Sequence, residues 1–325
     1  MRIAAVTAVL VLAAGTALAD GTIDQKTQVH FGGAIGGLIN TFGGKATKEG
    51  VVSTSVVKGN RKLTRHEESG ELVDLDAEKV YNIDYDRKTY TVTTFAEMRR
   101  KWEEQQERAK REQGRASKSE KESGPEMEVD FDIKSTGAKE SINGFSTREE
   151  VATVTVHEKG KTLAQSGGFV LTSDMWMGPR VPAMRELADF DRRFMSKVYG
   201  PAFDAEMLKM GALMATTPAF GKAMKAFGEH KGSFDGTAIR TKLTFETVAG
   251  PEGEQTAQKD ETPSSVGAAV FGGLMKKVKE RQASKQPATS GPERSSLMDS
   301  MTEITRASSS ASTDDVSLPA GFRQR

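Results

Sequence analysis

Apolar and polar residues alternate with a period of two along much of the first half of the chain, the signature of half-buried β-strands. Thr22–His30 and Val51–Val57 are the first such stretches. Lys58-Gly59-Asn60-Arg61 reads as a tight turn, Lys62–Arg65 continues from it, and Glu71–Leu75 follows. In KVYNIDYDRKTYTVTTF (79–95), Val80, Asn82 and Asp84 fall on one face of a strand and Tyr81, Ile83 and Tyr85 on the other. Asp86-Arg87 makes the turn and Thr89–Thr93 returns, so the pattern predicts a meander of short antiparallel strands.

The period then lengthens to that of a helix. Thr94 suits the N-cap, with Glu97 three residues on to complete a capping box. Phe95, Met98 and Trp102 share one face, after which charges dominate, with Glu104/Arg108 and Glu107/Arg111 at i,i+4. A polar linker spans 114–125. Strands are expected again at 128–133, 142–145, 151–156 and 168–172. From 182 to 199 the helical spacing puts Met184, Leu187, Ala188, Phe194, Met195 and Val198 on one face. Asp204 is placed to cap a second helix carrying Met207, Met210, Leu213 and Met214, and Thr217-Pro218 to start a third with Met224 and Phe227. Thr237–Val248 alternates Ile239, Thr241, Leu243 and Phe245, and Met298–Ser308 reads as a last strand. This order has no regular β-α alternation. It excludes a doubly wound parallel sheet and predicts an α+β fold, a large curved antiparallel sheet with helices on one face.

The first nineteen residues read separately. Arg2, the apolar run Ile3–Ala14 and Ala17-Leu18-Ala19 have the layout of a secretory signal peptide. The run falls short of the roughly 20 residues of a spanning helix. Cysteine is absent, which removes disulfides, thiolate metal sites and a cysteine nucleophile. Setting Arg2 aside leaves 45 basic residues of the 46, equal to the 45 acidic ones, a balance that argues against a nucleic-acid binder.

The glycine-rich stretch FGGAIGGLINTFGG (31–44) lacks the spacing of a nucleotide loop. His30, His66, His157 and His230 form no ligand pair and read as surface or loop residues. Asp74/Asp76, Asp84/Asp86 and Asp130/Asp132 share strand faces, as either a calcium or acid/base site or the solvated face of an antiparallel strand. Eight of the 14 methionines lie between 175 and 224, mostly on helical faces, where their adaptable side chains suit core packing or a permissive apolar surface. The segment 266–275 (VGAAVFGGLM) echoes the first glycine stretch and is followed by Lys276, Lys277, Lys279 and Arg281. That pairing fits contact with an anionic membrane surface, or short segments packed against the fold. No catalytic, metal or cofactor site is expected.

KVYNIDYDRKTYTVTTFAEM, INGF, FVLTSDMWMGPRVPAMRELADFDRRF, GTAIRTKLTFET and VSLPAGF, in that order, resemble a family of exported bacterial proteins of unknown function, itself similar in expected fold to the periplasmic lipoprotein carriers. The resemblance implies a half-open antiparallel β-barrel with helices in its concave mouth. It would occupy 20–325 as one domain, with polar insertions near 104–127 and 250–296. It further implies a periplasmic (otherwise secreted) binding protein, not an enzyme, that accommodates a lipid, an acyl chain or an apolar segment of a partner. The residues expected at that cavity are Phe31, Ile35, Leu38, Trp176, Met184, Phe194, Met207, Met210 and Met214. The competing expectation is a cell-envelope structural or adaptor protein whose core is filled by its own side chains. N-terminal sequencing of the protein recovered from an exported fraction is expected to begin at Asp20, and a retained Met1 there would overturn the leader assignment.

Overall fold

The computed structural model describes residues 20–32, 49–116, 126–215, 218–230, 232–250 and 294–325. The leader, Ile35, Leu38, both glycine-rich segments beyond Gly32 and the cationic run at 276–281 lie outside the described residues. The strands within it are β1 (Gly21–Phe31), β2 (Val51–Lys58), β3 (Arg61–Arg65), β4 (Ser69–Asp74), β5 (Lys79–Asp84), β6 (Thr89–Thr94), β7 (Met127–Ile142), β8 (Phe145–Glu158), β9 (Gly168–Gly178), β10 (Thr237–Val248), β11 (Arg294–Ser308) and β12 (Arg323–Gln324). Among the described residues, four α-helices interrupt them: α1 (Phe95–Ala116), α2 (Leu163–Ser166), α3 (Pro182–Ala215) and α4 (Pro218–Glu229).

The twelve strands build one large, open, curved sheet in the order β12-β6-β5-β4-β3-β2-β1-β11-β10-β9-β8-β7. All neighbours are antiparallel except β12 on β6. With so few helices on so large a sheet, the fold is mostly β and not the balanced α+β class expected. Part of the difference lies at Asn143-Gly144. The segment 142–145 is no separate strand: Asn143 and Gly144 both take positive φ (51° and 84°), the requirement of a tight type I′ turn. That turn joins β7 and β8 into one hairpin of 16- and 14-residue strands.

The entry to α1 follows the capping-box reading. The Glu97 amide donates to Thr94 Oγ1 at 3.2 Å and the Thr94 amide to Glu97 Oε2 at 2.8 Å. The Thr94 amide first, and the Thr94 hydroxyl second, donating to Oε2 at 3.0 Å, hold the Glu97 carboxyl below its ordinary range. α3 is broken at Gly200 (φ 56°, ψ −154°), so a new helical segment starts with Pro201 at its first position. Asp204 therefore lies inside that segment and does not precede it. The buried stripe of the first segment is Ala183, Phe190 and Val198, joined by half-buried Met184, Leu187 and Phe194, whereas Ala188 faces solvent.

Both faces of the β2–β6 half are filled by the chain itself. On one face Val57, Val73, Leu75 and Val80 pack with Phe95 of α1 and with Phe190 and Val198 of α3. On the other, Val56, Leu63, Leu72 and Ile83 are covered by residues 311–322 through Ala311, Val316, Leu318 and Phe322. Val80 and Ile83 serve opposite clusters, as their alternation requires. A second cluster under α3 gathers Ile23, Ile142, Val181, Ala183, Ile239 and Ile304. Phe190 is fully buried and meets Phe95 and Val57 within one cluster. Phe190→Ala is expected to lose about 3–5 kcal/mol in chemical denaturation, while Leu208→Ala, at a side chain 76% exposed, shifts the midpoint little.

Candidate functional site

The face that carries α3 runs on along β1. Strand alternation puts Ile23, Gln25, Thr27, Val29 and Phe31 of β1 on that face. Ala183 of α3 sits over β1 at Gly21. Ile23 to Phe31 is eight residues, roughly 26 Å at strand spacing, against a helix diameter of about 10–12 Å. α3 packs on β1 and β2 and α4 on the edge strand β7, and none of the hydrophobic clusters of the described residues includes Phe31 or Val29.

Registered neighbours in an antiparallel pair share a face, so rows can be traced across the end that holds Val29 and Phe31. One row runs Phe131, Val154, Leu171, Phe245, Met298 and Phe31 through six adjacent strands. The next holds Ile133, Ala152, Ser173, Leu243, Ser300 and Val29. On the other side of the first row come Val129, Val156, Phe169 and Thr247. Phe169 and Phe245 stack, with centroids 5.8 Å apart. Apart from buried Ile133 and Thr247, every one of these side chains is half-buried.

A polar belt separates these rows from the closed core. It runs Ser135, Glu150, Met175, Thr241, Thr302 and Thr27. Thr27 and Thr302 share a hydrogen bond of 3.1 Å between their hydroxyls. Glu150 is 2% exposed and accepts from Ser135 Oγ at 2.5 Å, with Arg148 Nε 3.6 Å away. Arg148 in turn donates to the carbonyls of Gly232, Ser233 and Asp235 just before β10.

The opposite face of the same strands is charged. Arg240 Nε donates to Glu303 at 2.6 Å and its Nη1 lies 3.3 Å from Glu140. Asp174 keeps Oδ1 buried without a partner among the described residues, and burial, then Glu149, raises its carboxyl above the usual range. A sheet apolar on one face and ionic on the other has its packing side fixed by sequence.

The expected cavity residues divide. Phe31 ends the long apolar row. Trp176 and Met184 each pack against the cluster under α3, and Phe194 packs against the first cluster, 5.3 Å edge-to-face from Phe95. The side chains of Met207, Met210 and Met214 lie outside the described set. The apolar rows hold residues that single-strand reading did not select, above all Val154, Leu171, Leu243 and Met298. Alternation of Leu243 and Phe245 was the available signal, and their neighbours in other strands are fixed only by register.

His157 is no surface histidine. It is 7% exposed, with Nε2 2.8 Å from Asp130 Oδ2 and Nδ1 near the Glu158 carbonyl. Lys222 of α4 bonds both Glu128 and Asp130 at 2.8 Å, tying that helix to the edge strand β7. The other acidic pairs have local duties: Asp74 accepts from the Asp76 and Ala77 amides and pairs with Arg61, and Asp84 accepts from the Arg87 amide. Neither a scan against protein-family models nor a comparison with curated proteins returns a match for this chain.

Asp130 raises the His157 pKa, while Lys222 first and His157 second lower that of Asp130. The contribution of His157 is therefore complete below its unfolded value of about 6.5 and is lost as pH rises through its higher folded value. That of Asp130 is present above its ordinary value and is lost as pH falls through its lower folded value. Denaturation midpoints of the wild type are expected to fall as pH climbs from about 6.5 through the raised value, and His157→Gln to flatten that slope. An unchanged slope in His157→Gln would show that the pair contributes nothing.

Proposed function

We propose that the protein is an exported, non-enzymatic binding protein whose curved sheet is a half-barrel of the lipoprotein-carrier type, with helices on its concave face. Its ligand is a lipid or acyl chain, or an apolar partner segment, laid across the rows centred on Phe131, Val154, Leu171, Phe245, Met298 and Phe31. The observation that carries this reading is the half-buried state of a continuous six-strand apolar row that belongs to none of the hydrophobic clusters of the described residues. A chain laid there removes apolar surface from water at about 25 cal/mol per Å². The hydroxyls of Thr27, Thr241, Thr302 and Ser135 lie beside the rows and suit the polar end of an amphiphile. Binding of this kind needs no reacting group, only a dry surface and a boundary.

A second reading is favoured by a different observation. Both faces of the β2–β6 half are filled by α1, α3 and residues 311–322, as befits an envelope structural or adaptor protein with a self-filled core. Native mass spectrometry of protein purified without detergent separates the two. The binding reading expects co-purifying lipid and saturable uptake of a fluorescent fatty acid, and a clean apo mass with no uptake would sink it. Leu171→Asn and Leu243→Asn are each expected to weaken probe binding about 10-fold or more, the loss of one well-buried apolar side chain. Leu208→Asn, outside the rows, is expected to leave binding unchanged.

A further inference from the structure

Against the turns of the β2–β6 half, apart from these rows, a pocket of about 400 Å³ is lined by Asn60, Leu75, Arg192, Arg193, Ser196 and Lys197. We propose that it binds a small anion, a phosphate or a carboxylate-bearing group, independently of the apolar rows.

The pocket forms where the first segment of α3 crosses two strand turns. Arg192 and Ser196, and Arg193 and Lys197, are i,i+4 neighbours, so the four present one patch. Arg193 Nη1 donates to Asn60 Oδ1 at 2.6 Å and Nη2 to the Gly59 carbonyl at 3.1 Å. Lys197 Nζ donates to the Leu75 carbonyl at 2.8 Å, and the Leu75 amide to the Asn60 carbonyl at 2.9 Å. These bonds fix two cations in place before any ligand arrives. Phe190 supports the guanidinium of Arg193 from below at 5.3 Å, and buried Leu75 supplies an apolar floor.

Charge then decides what fits. Among the described residues, three cations and one hydroxyl line the pocket, and no carboxylate does. Acidic groups stand around it: Asp189 holds Arg192 at 2.9 Å, Glu78 lies 3.8 Å from Lys197, and Asp76 accepts from Asn60 Nδ2 at 2.9 Å. Asp191 pairs with Lys62. The oxygens bonded by Arg193 are neutral, those of Asn60 and Gly59. Cations near a helix C-terminus also offset its dipole, which accounts for their position but leaves the guanidinium of Arg193 without a counter-charge in its bonds. A planar guanidinium, an ammonium and a hydroxyl converging on one volume match the oxygens of a phosphate or carboxylate, and the volume lies in the range of small-ligand sites.

The test titrates inorganic phosphate into the isotopically labelled mature protein and follows amide resonances of Asn60, Leu75 and Ser196. Saturable shifts are expected at these positions. Ser196 is exposed, so Ser196→Asp should leave the thermal midpoint in place while its like charge weakens phosphate binding about ten-fold or more. Ser196→Ala should bind within a few-fold of wild type. Co-sedimentation with phosphatidylglycerol but not phosphatidylcholine vesicles, lost in Ser196→Asp, would identify a lipid headgroup as the source. Phosphate shifts without vesicle binding would identify a free solute. Non-saturable shifts, or identical shifts in Ser196→Asp, would overturn the proposal.

Discussion

The seam between β1 and β11 holds this architecture together. β2–β6 form one meander and β7–β11 another, and the two become one sheet only because β1 pairs with β2 on one side and β11 on the other. The partners are distant in sequence: Thr22 faces Ser308 and Phe31 faces Met298. Asp24 fastens the seam from both sides, accepting from Thr54 of β2 at 2.7 Å and from Arg306 of β11 at 2.8 Å. A β-bulge lies beside it, where Asp24 and Gln25 face Arg306 and Ile304. Pairings so far apart are closed late and slowly in folding, so each meander must hold together largely by itself until the seam forms.

That division also explains why the two halves are finished differently. The β2–β6 meander is short-stranded and covered on both faces, which suits a scaffold. The β7–β11 strands are longer, the first two joined by the Asn143-Gly144 turn, and present apolar rows that lie outside the hydrophobic clusters of the described residues. Across these same strands and β1 runs the hydroxyl belt of Thr27, Thr302 and Thr241, between the apolar rows and the cluster under α3. Binding capacity is thus proposed for the half whose packing the described chain leaves incomplete, and the small-anion pocket for the turns of the half that is complete.

Much of the local structure was legible from sequence because it depends on neighbours in sequence. The Thr94–Glu97 cap, the Pro218 start, the opposite faces of Val80 and Ile83, and the alternation of Ile239 to Phe245 all follow from spacings of two to four residues. Four features did not. Phe190 was missed because the stripe it belongs to was read through Ala188. The helix after Gly200 begins at proline because a positive φ breaks the chain there, which spacing alone does not reveal. The row joining Phe131 to Phe31 depends on the register of five strand pairs, and a shift of one residue in any of them would turn it to the other face. His157 looked ordinary because its partner Asp130 sits in another strand.

The path of residues 311–325 carries one more consequence. After crossing the face of β2–β5, the chain lays Arg323 and Gln324 alongside Thr89 and Tyr90 of β6, with the Arg325 amide donating to the Tyr90 carbonyl. One border of the sheet is therefore occupied by its own chain, and β7 forms the other. Indefinite growth of a β-fibre needs two open borders per molecule, each able to accept the next copy. With Thr89 and Tyr90 already paired, the template this border offers to another chain is shortened to the remainder of a six-residue strand.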